Sequence, residues 1–148
     1  MNYPMKFMRA QVSIEYIVIV SVLLLLFVPV IYYAESQRIE FVNNYAITQT
    51  DASLSRLASV VDYIYFLGEG NEIIIDIYFP TEISGVTATP DGYEISATVF
   101  DKEIVKTTRA KIVSAGLPAD GILLEGMHRY LVRYTHSPNA NGVDIVPI

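Results

Sequence analysis

The residues of this chain that could do chemistry are few, and the most telling of them sit at one end. Glu15 opens a run, Tyr16 to Ala34, in which no residue carries a formal charge and Val, Ile and Leu predominate. A carboxylate in that place must stay at an interface or find a positive partner, because a charge at a bilayer centre costs about 2.5–3.5 kcal/mol on insertion scales. Directly upstream lie Gln11, Val12 and Ser13, preceded by Met1 to Ala10 with two cations, Lys6 and Arg9. Taken alone, Glu15 reads as a carboxylate at a helix N-terminus, where the macrodipole favours it.

Other reactive groups form no catalytic constellation. His128 and His136 stand eight apart in one strand region, with no carboxylate or nucleophile recurring beside them. Asp91-Gly92, Asp120-Gly121 and Asn141-Gly142 are turn chemistry, and none starts the oxygen-ligand series of a calcium loop. Gly68-Glu69-Gly70 lacks the Lys-[ST] of a phosphate loop and reads as a helix stop. With no cysteine, neither disulfides nor thiolate metal sites are available. The expectation is a chain without enzymatic activity, metal or cofactor. Net charge is −6, and the densest basic run, Lys102 to Lys111, spreads its cations along a strand candidate. Nucleic acid, which needs clustered Lys and Arg, is not an expected partner.

The elements that must carry these residues follow from patterning. Tyr16 to Ala34 spans about 28 Å as a helix, close to a ~30 Å hydrocarbon core. Lys6 and Arg9 on the short flank place the N-terminus in the cytoplasm and the bulk of the chain outside. A secretory cut at Ala34 would need a small residue at position 32, which is Tyr32, so the helix is expected to remain in the mature chain. Pro29 removes one backbone donor within it and is expected to kink or loosen it.

Beyond Glu35 the apolar residues become spaced: Ile39, Val42 and Ala46, then Leu54, Leu57, Val61 and Ile64 at helical steps. Asn43-Asn44 and Thr48 to Ser53 are weak helix formers, so a bend or break is expected there, with Asp51 as cap of a second segment. The organisation is therefore a basic head, 1–10, a helix, 11–67 (apolar over about 16–34, amphipathic over about 35–67), and a β-rich head domain, 68–148. Strand candidates are Glu72 to Phe79, Tyr93 to Val99, Glu103 to Val113, Ile122 to Leu124, Arg129 to Thr135 and Val143 to Val146. Pro90-Asp91-Gly92, Gly116 to Pro118, Gly126 and Ser137 to Gly142 separate them as turns and loops. Clean alternation in Tyr93 to Val99 marks a half-buried antiparallel strand. The fold class is α+β: a long N-terminal hydrophobic helix, then a small antiparallel sheet packed on the helix's second half. Tyr63, Tyr65, Tyr78, Tyr93, Tyr130 and Tyr134 are expected to pack between helix and sheet or between subunits.

Arg9-Ala10-Gln11-Val12-Ser13-Ile14-Glu15-Tyr16 resembles the processing site of archaeal class III prepilins, Q-x-S-x-E-[YF] opening a hydrophobic helix. Gln11, Ser13, Glu15 and Tyr16 all match. The resemblance implies a type IV pilin-like fold and cleavage between Ala10 and Gln11 by a prepilin peptidase, with Arg9, Gln11, Ser13, Glu15 and Tyr16 as its recognition residues. It further implies helix packing into a filament core, in which Glu15 meets the N-terminal amine of a neighbouring subunit. A motor ATPase and a membrane platform enter by the same resemblance. The assembly residues are then Glu15, Ile17, Val20, Leu24, Phe27 and Pro29. The expected function is a structural subunit of an adhesive extracellular filament, held in the cell membrane as a precursor. The alternative is a single-span surface binding module, or minor pilin, that keeps its helix in lipid.

Overall fold

In the computed structural model the described residues are 5–80, 83–89, 92–117, 125–137 and 140–148, with side chains for all of these except 5–13, 137 and 140. The chain forms two compact units, Met1–Val42 and Asn43–Ile148. A single helix, α1 (Met5–Leu67), supplies the described part of the first unit and opens the second. It starts ahead of Gln11 and continues through Pro29 and through 43–53 without interruption. The break expected at Asn43–Asp51 is therefore absent, and Asp51 is not a cap. Its carboxylate instead lies 2.8 Å from the Lys106 ammonium, and burial of the stripe that follows outweighs the weak local propensities. Gly68 ends the helix as expected, at φ 78°, its N–H donating to the Ile64 carbonyl at 3.1 Å.

Seven strands follow: β1 (Glu72–Phe79), β2 (Ile83–Ala88), β3 (Glu94–Val99), β4 (Lys102–Thr107), β5 (Ile112–Ala115), β6 (Gly126–Ser137) and β7 (Ala140–Pro147). They form two sheets, ordered β1-β6-β7-β5 and β2-β3-β4. The single antiparallel sheet expected from patterning is corrected on both counts, since β5 also pairs with β7 in parallel. The stretch Glu103 to Val113 is two strands, because Thr108 to Lys111 leaves β4 and carries the chain to the other sheet. Within that link Thr108 is buried and donates its hydroxyl to the Ala110 carbonyl at 2.8 Å.

Two further differences concern single strands. Strand β2 has no counterpart among the expected strands; Gly85 sits at a register shift that interrupts its alternation. Ala140 to Gly142, expected as loop, are paired with Ser137, His136 and Thr135, so long-range pairing overrides turn-favouring residues. Gly142 is needed where β7 passes β5: an added Cβ would fall on the Lys111 carbonyl oxygen and the Val113 Cγ2. Ile122 to Leu124 lie outside the described residues.

One core joins helix and sheets. Leu54, Leu57, Val61 and Ile64 are fully buried against Ile75, Ile77 and Phe79 of β1, Tyr130 and Val132 of β6, and Val86, Ile95 and Val99 of the second sheet. Of the earlier spaced positions, Ala46 joins this core, while Ile39 and Val42 are exposed. Of the tyrosines, Tyr130 is buried, Tyr134 is half-buried with its ring 6.1 Å from that of Tyr65, and Tyr63 and Tyr93 face outward.

Candidate functional site

Two surfaces stand out: the first part of α1, and a cleft beside its C-terminal turn.

From Ile14 to Val42 every side chain is exposed except Val20, which is partly covered. Ile17, Leu24 and Phe27 are each more than half exposed. Steps of three, four and three place Ile17, Val20, Leu24 and Phe27 on one helix face, yet Val22, Leu23, Leu25, Leu26 and Val28 make the remaining faces equally apolar. The surface is thus apolar all round, the pattern of a helix that must be surrounded by lipid or by other helices. This is the one helix among the described residues long and apolar enough to cross a membrane. Inside it the Ser21 hydroxyl donates to the Ile17 carbonyl at 2.8 Å, so its polar group is satisfied within the helix.

Glu15 is exposed on the same helix, one turn after Gln11. The backbones of Arg9, Ala10, Gln11 and Ser13 are helical; their side chains lie outside the described ones. Beyond the apolar run, Glu35 and Arg38 form an exposed pair at 3.6 Å, one turn apart, which returns the helix to a water-compatible surface.

The cleft was not legible in the sequence. Ser59, Asp62, Tyr63, Tyr65, Phe66 and Arg109 line a space of about 730 Å³. Asp62 holds the β4–β5 link against the helix, accepting the Arg109 N–H at 2.6 Å and the Ala110 N–H at 3.2 Å. The Arg109 guanidinium is exposed and has no carboxylate partner among the described residues. Asp62 follows Val61 directly, so its acidity read only as the solvent side of an amphipathic helix. Its partners are 47 and 48 residues away.

Elsewhere the charges make structural contacts. Arg129 forks onto Asp76, Nε to Oδ1 at 2.7 Å and Nη2 to Oδ2 at 3.2 Å. The Arg129 hydrogen bond holds the Asp76 carboxyl below its ordinary value. Buried Asp144 accepts the Thr135 hydroxyl at 2.8 Å and an Arg133 N–H at 3.3 Å. His128 packs on the Phe79 ring, and His136 stands 3.4 Å from Glu69, so the two histidines serve separate contacts.

A long N-terminal apolar helix followed by a β-sheet head is an architecture consistent with type IV pilin-like proteins, and the helix suggests membrane association or secretion. No family model, curated protein or solved structure matches the chain.

Proposed function

We propose that this chain is a prepilin: a structural, non-catalytic subunit cleaved before Gln11 and polymerised through α1 into an extracellular archaeal type IV pilus-like filament used for adhesion. The observation that carries the reading is the all-round apolar surface of 16–34, with Gln11, Ser13, Glu15 and Tyr16 at its head. A lipid anchor alone needs the apolar length; it has no use for that polar signature at the junction. In lipid the apolar side chains are solvated by acyl tails and Glu15 stays at the interface. On extraction the same side chains must be covered by neighbouring helices, because their exposure to water costs about 25 cal/mol per Å².

Glu15 then enters a helix bundle and needs a cation. Cleavage before Gln11 creates an α-amine four residues upstream of Glu15, and pairing with that amine on a neighbour fixes axial register between subunits. Cyclisation of the new N-terminal Gln would remove its charge and weaken the pairing. The partners of this reading are further copies of the chain, a prepilin peptidase, an assembly ATPase with its membrane platform, and the membrane before assembly.

The test is the mature N-terminus of protein sheared from cells that express the chain natively, read by mass spectrometry. Gln11, or its cyclised form, at the start of filamentous material is the expected result. A retained Met1 on protein found only in the membrane fraction would overturn the filament reading in favour of a single-span surface module. Glu15→Gln is expected to leave membrane insertion intact and to reduce filament yield.

A further inference from the structure

Two features near opposite ends of one strand carry complementary chemistry. The β3–β4 turn, Phe100 and Asp101, immediately precedes β4, and Arg109 lies two residues beyond its last residue, Thr107. The register pairs Val99 with Lys102, leaving a two-residue turn with Phe100 at φ 47° and Asp101 at φ 61°. That turn is ordinarily made by Asn-Gly or Asp-Gly, and a bulky aromatic held there is strained. Both side chains are exposed. Lys102 and Glu103, which follow, are exposed and lie on opposite faces of β4. Among the described residues Asp101 has no cationic partner. The turn thus presents a ring and a free carboxylate side by side.

The cleft near the other end presents the converse: Tyr63, Tyr65 and Phe66 line it together with Arg109, whose side chain makes no ion pair among the described residues. Asp62 makes no ion pair with it, and accepts two backbone N–H groups at its Oδ1. We propose that Phe100 and Asp101 of one copy of this chain seat in the Tyr63–Phe66–Arg109 cleft of the next.

The exposed ring and carboxylate of the tip match the aromatic side chains and the cation of the cleft in apolar character and in sign. The chain carries net charge −6, so copies repel at long range. A local pair of opposite sign decides which faces can meet, and partial exclusion of water by the rings strengthens it over an open-surface pair. Knob and cleft are different surfaces, with Phe100 and Arg109 separated by at most about 30 Å along the chain at ~3.3 Å per residue. Such a heterologous contact leaves a free knob at one end and a free cleft at the other, so it propagates unless its rotation closes a ring. The inference rests on the filament reading, and supplies it with a contact between head domains.

The experiment compares cells making the full chain as wild type, Arg109→Asp, Asp101→Arg and both together. Total membrane-held protein and sheared filament yield are measured for each. Each single change is expected to leave the membrane-held amount unchanged and to lower filament yield at least about tenfold, the equivalent of ~1.4 kcal/mol per contact. The double change is expected to restore yield. Wild-type yield from both single variants overturns the contact. So does a double variant that assembles no better than the single ones, the outcome expected if the cleft takes an acidic ligand other than this chain. Loss of the single variants from the membrane would show that these residues serve the subunit's own fold, and overturns it as well. Wild-type cells that make no filament overturn the filament reading itself, and the contact with it.

Discussion

Two stretches of α1, 14–42 and 43–67, are built from the same aliphatic residues and have opposite fates. Leu25 in the first is 73% exposed; Leu54 in the second is 0% exposed. The difference lies in spacing. In the second stretch Asp51, Ser53, Ser55, Arg56 and Asp62 interrupt the aliphatic residues and confine the burial to one stripe, which the sheets cover. In the first, 16–34 has no charged residue on any face, and no single sheet layer can cover a helix all round. One-sided apolarity is resolved inside the subunit. All-round apolarity needs lipid or other helices to cover it.

The largest effect is expected from a charge placed in the exposed stretch. Leu24→Asp, or Val20→Asp, is expected to abolish both membrane insertion and filament assembly, scored by cell fractionation and shearing. Each introduces an insertion penalty of about 2.5–3.5 kcal/mol and a buried charge in any helix bundle. Stable filaments from either variant would refute helix packing as the basis of assembly.

Truncation in the buried stretch should act on folding instead of insertion. Leu57→Ala is expected to lower unfolding stability of the detergent-solubilised chain by about 2–5 kcal/mol, because it empties a fully enclosed site, while insertion stays normal. Asp62→Ala should cost less, about 1–3 kcal/mol in the same assay, by leaving the Arg109 and Ala110 N–H groups without their acceptor. An unchanged midpoint would mean that water replaces the carboxylate there.

The smallest expected effect is electrostatic. The Asp76 carboxyl is held below its ordinary value, first by its Arg129 hydrogen bond, so folding favours its charged form. Its contribution is present above the unfolded-state value of about 3.9 and is lost as pH falls through the lower folded-state value. Asp76→Asn should therefore flatten the acid limb of the stability profile below about pH 4. Because the pair is exposed, added salt should shrink the difference. Burial pushes the Tyr130 hydroxyl up, which predicts the converse loss of stability as pH rises beyond about 10.

Local patterning specified the long helix, its Gly68 stop, the stripe Leu54 to Ile64, and the face of β1 that carries Ile73, Ile75, Ile77 and Phe79. These are properties of period and of end residues, which neighbours within a few positions specify. Tertiary structure alone decided the division into two sheets, the parallel pairing of β5 with β7, the strand state of Ala140 to Gly142, and the continuity of the helix through 43–53. It also decided that Asp62 would hold a backbone link and that Arg109 would stand among aromatic side chains. Strand partners and cleft walls come from residues tens of positions apart, and an alternating strand or a helix stripe states which face is apolar without stating what will cover it.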